Sequence, residues 1–228
     1  MTFPYQGRDI PYTLTRRRNM KTMRAKVMAD GTIAVSAAPR VPTAEIVRFL
    51  TANAASLLEM QARALARRAA APTFADGSTV RYLGGDLTLR WHPTPCAAER
   101  EGDVLTVFAR TPDEARLAWE QWQIRACVAL YRQLNIEVYR HFHSAGYDVP
   151  LARIEIKDMV SRWGSCTASS GRISMNIRLM EYPIGCVRGT FYHEYAHFLH
   201  QDHSAAFYAV VRQLYPEYDR WDALLKHR

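Results

Sequence analysis

The chain has 228 residues, of which 48% are hydrophobic and 23% charged, and a formal net charge of +8. This composition excludes disorder, collagen and coiled coil, and the length suits one large or two small domains able to bury a core without staples. The four cysteines at 96, 127, 166 and 186 form no Cys-x-x-Cys pair, no apolar run reaches membrane-span length and the N-terminus has no signal-peptide pattern, so a cytoplasmic protein with reduced thiols and no membrane partner is expected.

In chain order, residues 12–15, 23–28 and 32–35 read as short strands, with Asp30-Gly31 as a two-residue hairpin signal. Pro42-Thr43 opens a helical stretch, with Ile46, Phe49 and Leu50 on one face, that continues as a helical hairpin to about residue 70. Three further strands are expected at 79–83, 87–91 and 104–108. The longest helical pattern follows Pro112, over 113–143, and Gly146 stops it. The last third reads as a strand over 153–156, a loop over 161–166, a strand over 172–179 and a helix over 183–199. A second helix starts at the N-cap Ser204, and Pro216 interrupts it before a last turn over 217–226. The expected fold is α+β, in two domains. Residues 1–111 form a basic β-rich part with the helical insertion; residues 112–228 form a domain of long helix, small mixed sheet and motif-bearing helix.

The charge is unevenly spread. Residues 1–72 hold 12 Arg and Lys against 4 Asp and Glu, and residues 73–228 hold 18 of each, so the whole excess lies in the first third. That asymmetry points to a polyanionic partner, nucleic acid such as DNA, nucleotide or an acidic protein, with Arg16, Arg17, Arg18, Lys21, Arg24 and Lys26 as candidate phosphate contacts. Solubility alone also accounts for such a surface, since no aromatic-interleaved RNA-binding motif accompanies it.

His193-Glu194-Tyr195-Ala196-His197 is a His-Glu-x-x-His motif inside the 183–199 helical pattern. Four residues on a helix bring the two imidazoles to one face, about 6 Å apart along the axis, suited to two legs of a tetrahedral zinc. Glu194 lies about 100° round the helix. From there it reaches a metal-bound water, whose pKa zinc lowers toward about 7, and takes its proton. A catalytic zinc takes a third protein ligand, and three candidates are open. His203 coordinates only if the helix ends near His200 and the chain folds back, which Gln201-Asp202 before Ser204 allows. Glu217 suits a carboxylate ligand from a second helix. His200 shares the face of His197 but lies about 10 Å along the axis from His193.

The segments Ser161-Arg162-Trp163-Gly164-Ser165-Cys166, 172–179, 193–197 and Asp202-His203-Ser204-Ala205-Ala206-Phe207 resemble the YgjP-like metallopeptidase family, zincins related to the WLM and SprT-like metalloproteases. The N-terminal stretch, with Asp30-Gly31, Pro39 to Pro42 and Phe74 to Gly77, is similar to the family's β-rich part, so the resemblance covers nearly the whole chain. It implies a zincin-like second domain, zinc (Zn2+) held by His193, His197 and His203, and Glu194 as general base. The chain departs from the family at Tyr195 and Phe198, usually aliphatic, and at Tyr208, usually Trp.

The expected activity is therefore that of a zinc-dependent metallopeptidase acting on a peptide or protein. A metal-dependent nucleoside triphosphate hydrolase on the same site, or a DNA-associated SprT-like protease, are the alternatives. Arg162 and Trp163 are placed to contact substrate, with core packing the expected role of Trp163. Strand 172–179 is expected to pair with an extended peptide. Cys166 is expected to be a small buried residue, and Tyr192, Tyr195 and Tyr208 are candidate oxyanion donors.

Overall fold

The computed structural model describes residues 1–28, 30–69, 72–159 and 161–226. The fold is α+β with a strand-rich N-terminal part, and the chain packs as two compact units, Met1–Ala71 and Pro72–Arg228.

In the first unit, β1 (Thr2–Tyr5) and β2 (Arg8–Pro11) form an antiparallel hairpin. Its turn is Gln6-Gly7, both at positive φ, the twist that a two-residue hairpin needs. A three-stranded sheet follows in the order β3-β5-β4, from β3 (Thr13–Arg16), β4 (Arg24–Val27) and β5 (Ile33–Ala37). Central β5 runs parallel to β3 and antiparallel to β4. Alternation sorts its faces: Ile33, Val35 and Ala37 are buried, whereas Ala34 and Ser36 turn to the other side. At the hairpin Asp30 Oδ1 accepts from Thr32 N at 2.9 Å, and Gly31, at φ 85°, lies under Leu65. The expected helical hairpin is two helices, α1 (Thr43–Ala52) packing on β1 and α2 (Ala54–Ala69) packing on β4, joined by Asn53. The helix end expected near residue 70 lies outside the described residues. Phe3, Tyr12, Ile46 and Leu50 complete this unit's core.

In the second unit, β6 (Thr79–Tyr82), β7 (Gly85–His92), β8 (Glu99–Glu101) and β9 (Val104–Phe108) form a sheet ordered β6-β7-β9-β8. Thr111 caps α3 (Pro112–Ser144), accepting from Glu114 N, and Pro112 occupies the first turn. This helix serves two cores. Ala115 and Trp119 pack with Leu87, Leu89, Leu105 and Val107 of the sheet; further along, Tyr131, Leu134, Val138 and Phe142 pack in the core that carries the candidate site. The sequence division at 111/112 thus falls inside one compact unit, because α3 ties the strands before it to the elements after it.

That second core is built from β10 (Arg153–Lys157), β11 (Gly164–Thr167), β12 (Arg172–Asn176), α4 (Ile184–Ala196), α5 (Ala205–Leu214) and α6 (Tyr218–Lys226). The sheet order is β10-β12-β11, with β10 and β12 parallel and β11 antiparallel to β12. The strand expected over 172–179 stops at Asn176, whose Oδ1 accepts from Arg178 N and starts a 3-10 turn over 177–181. It is also central, flanked on both sides, so it cannot take up a peptide; the sheet's edges are β10 and β11, and three of the four residues of β11 had read as loop. Among the described residues no helix is long and apolar enough to cross a membrane.

Candidate metal centre

The rotation of α4 is fixed by buried polar bonds. Tyr195 Oη donates to Asn135 Oδ1 at 2.6 Å and accepts from Ala152 N at 3.1 Å, while Asn135 Nδ2 donates to Ala152 O at 2.9 Å. Fixing Tyr195 inward turns Glu194, 4% exposed, toward β11 and sets His193 and His197 on the face toward α5. Regular helix ends at Ala196, three residues earlier than expected, and the bonds tighten: Phe198 N donates to Tyr195 O and Leu199 N to Ala196 O. The chain then folds back over 201–203. Ser204 caps α5, accepting from Phe207 N at 3.4 Å, and this return delivers His203.

The three imidazoles meet. His193 Nε2 lies 3.1 Å from His203 Nε2, and the candidate ligand atoms of His193, His197 and His203 all lie within 4.8 Å of one another. Tetrahedral zinc at about 2.0–2.1 Å from each nitrogen needs nitrogens about 3.3 Å apart. Each outward nitrogen on α4 is occupied. His197 Nδ1 is 3.0 Å from His200 O; a carbonyl only accepts, so Nδ1 carries the proton and the lone pair of Nε2 faces the cluster. His193 Nδ1 is 2.8 Å from the Tyr218 hydroxyl. Phe207, fully buried, lies with its ring centroid 4.8, 4.6 and 5.0 Å from those of the three imidazoles and floors the cluster.

Burial, followed by the neighbouring His197 and His203, pushes the pKa of His193 down to about 3, and burial also lowers that of His197. Both rings are therefore neutral, the form that binds metal. Burial pushes the Glu194 carboxyl up to about 8, partly opposed by Arg162. Its Oε2 is buried without a hydrogen-bond partner, an orphaned acceptor in the cleft that the three imidazoles also line. A cation between those rings would offset the burial of this carboxylate, so the residues present fit a metal. Room for the carboxyl comes from Gly164 on β11: a Cβ there would lie 2.4 Å from Glu194 Oε1.

These groups open on a cleft of about 780 Å³, walled on one side by Gly164, Ser165 and Cys166 of β11. Arg162 and Trp163 stand on its rim. Trp163 is half-buried and donates from Nε1 to Leu225 O at 3.2 Å. Fully buried Asn176 holds the rim, donating to Met159 O and Arg162 O at 2.7 and 2.8 Å. Burial raises the Cys166 thiol to about 12, so it stays protonated.

Of the three candidates for third ligand, the structure brings His203 to the cluster. Glu217 pairs with Arg220 instead, and His200 contributes its backbone carbonyl. The candidate oxyanion donors Tyr192 and Tyr195 are spent in the core, on His141 and Asn135, while Tyr208 packs its ring 6.2 Å from that of His203. Sequence reasoning missed Tyr218; its only signal is its place one residue after Glu217, in the turn entering α6.

A helix-borne His-Glu-x-x-His, a third imidazole from the returning chain and an edge strand along the cleft define a hydrolase of the metallopeptidase type. The family comparison agrees, for the YgjP-like metallopeptidase domain matches residues 21–228, and the chain belongs to that family. Membership implies a metal cofactor, which the three histidines could hold. No curated protein and no solved structure matches the chain.

Proposed function

We propose that this chain is a zinc-dependent metallopeptidase in which His193, His197 and His203 hold the ion and Glu194 is the general base. The observation that carries the reading is the buried, unpartnered Oε2 of Glu194 on the helix segment that bears two of the three clustered imidazoles. When bound, zinc supplies a Lewis acid that acidifies water toward neutral pH and polarises a carbonyl. Glu194 accepts the proton of the attacking water and returns it to the leaving amine. The His200 carbonyl holds the tautomer of His197, and the Tyr218 hydroxyl orients the ring of His193. Alternate residues of β11 turn their N–H and C=O groups away from β12, and an extended peptide can pair with that edge.

Peptide is favoured over nucleoside triphosphate as substrate by the charge of the cleft. Among its described lining residues Arg162 is the one Arg or Lys, so apart from the proposed metal a single side-chain cation is at hand for phosphate. A triphosphate brings about four negative charges and needs a cationic clamp.

The test is elemental analysis with turnover on unfolded protein, using wild type and Glu194→Gln. About one zinc per chain is expected in both, with turnover lost only in the variant. Unchanged turnover in Glu194→Gln, or no zinc after reconstitution, overturns the reading; metal-dependent phosphate release from nucleoside triphosphates without peptide cleavage transfers the site to the other substrate class.

A further inference from the structure

The first unit carries a cationic depression distinct from the cleft chemistry. One hollow, of about 570 Å³, is lined by Arg17, Lys21, Arg24 and Lys26 together with Asn19, Thr22 and Ser36. A second, of about 430 Å³, is lined by Arg18, Lys21 and Arg40 and shares Asn19 and Met20 with the first. The two form one track with six cations and, among the described residues, no carboxylate.

The local structure explains why these charges gather. Arg17 N donates to Ala37 O, extending the β3 pairing by one residue, and Met20 N donates to Arg17 O, closing a turn that carries Arg17 and Arg18 and is followed directly by Lys21. On β4 the alternation of side chains places Arg24 and Lys26 together on the solvent face, about 7 Å apart. Opposite them on central β5 stand Ser36 and Ala34, short side chains that leave the face open to a ligand's backbone. Arg16, by contrast, is a clamp within the fold: its guanidinium donates to the carbonyls of Ala38, Pro39 and Val41. It leaves the set of phosphate contacts.

Among the described residues none of the six track cations makes an ion pair, although five of the six, all but Arg40, lie within a stretch of ten residues. Like charges held together without counter-charge repel, and a concave wall focuses their field, so the track favours a polyanion. A phosphate backbone fits better than an acidic protein. Cations recurring along an extended track, interspersed with the hydrogen-bonding groups of Asn19, Thr22 and Ser36, are the donors that phosphate oxygens take. Among the described lining residues there is no aromatic ring and Met20 is the one large apolar side chain, too little to seat peptide side chains or stack bases.

We propose that this track binds the phosphate backbone of nucleic acid, without sequence preference. The probes are fluorescein-labelled oligonucleotides of mixed sequence, as single-stranded DNA, single-stranded RNA and duplex DNA, with labelled polyglutamate of the same charge, titrated with the full chain by anisotropy. With about four phosphates contacted, the slope of log K against log salt is expected near −3 for single strands. The double variant Lys21→Glu/Lys26→Glu is expected to weaken oligonucleotide binding at least about tenfold. A control with the same change in charge on exposed sites of α3, Arg132→Glu/Arg140→Glu, is expected to weaken it less than about twofold. Arg17→Gln/Arg24→Gln gives a milder second variant, and circular dichroism checks that each folds. Equal losses in track and control variants, or binding flat with salt, overturn the proposal. So does polyglutamate binding as tight as the oligonucleotides, which assigns the track to an acidic protein. The preferred arm among the three oligonucleotides names the nucleic acid.

Discussion

A methyl group at position 164 would fall 2.4 Å from Glu194 Oε1 and 2.7 Å from its Cδ, well inside contact distance, so this glycine fixes where the carboxyl sits. Its backbone is ordinary strand, and the cost of a side chain there is the collision alone. Gly164→Ala is expected to cut turnover at least about tenfold, because a shift of about 1 Å in a catalytic group is worth up to two orders of magnitude. Metal content is expected to stay at the wild-type level, since the carboxylate and not the imidazoles is displaced. Assaying turnover and zinc on the same preparation checks this; loss of both together would place Gly164 in folding rather than in positioning. At this scale the meeting of the three imidazoles was legible, because His193 and His197 are spaced by one helical turn and His203 follows a visible break. Gly164 and Tyr218 were not, because their roles rest on contacts with residues 30 and 25 positions away, which no local pattern encodes.

Two elements hold the centre in shape through close packing. Gly185 and Gly189 lie two turns and one turn before His193 on α4, and the ring of Trp221 on α6 lies where a Cβ at 185 would be, 2.1 Å away. The approach sets α6 against α4 and brings the Tyr218 hydroxyl to His193. Gly185→Ala is expected to destabilise the fold: overpacking costs about 1–3 kcal/mol and outweighs the up to about 1 kcal/mol that alanine gains in helix propensity. The displaced Tyr218 is expected to weaken metal binding as well, by about 10–100-fold, the usual effect of losing an outer partner of a ligating histidine. A thermal melt and a competitive zinc titration read the two effects separately, and a variant as stable as wild type with unchanged affinity would contradict this account. Periodicity exposed most elements. It missed β8, whose three residues are all exposed, and the β1–β2 hairpin, whose short strands bury little beyond Phe3. It overran α4 and β12, where the tightened turn after Ala196 and the Asn176 side chain end the element without Gly or Pro.

Across the whole molecule, composition revealed the uneven charge but not the way the chain divides. The strands before residue 111 looked continuous with the N-terminal β-rich part, and only the reach of α3 across two cores assigns them to the second unit. All three candidate ligands, and the elements that orient them, belong to Pro72–Arg228. A ligand that binds only the native state stabilises it by about 4 kcal/mol at a thousandfold excess over Kd. That stabilisation is felt by the segments whose opening destroys the site. Hydrogen exchange with and without metal is therefore expected to show protection over 190–207 and 215–222, where the candidate ligands and Tyr218 sit. The β3-β5-β4 sheet of the first unit, which contributes no ligand, is expected to exchange at the same rate in both states. Removing the ion with a chelator should abolish the difference and lower the Tm by about 8–16 °C, taking about 2–4 °C per kcal/mol for a chain of this size. Metal-dependent protection spread equally over both units would mean that the ion stabilises the chain as one cooperative body. Protection absent from 190–207 would remove the three histidines as its ligands.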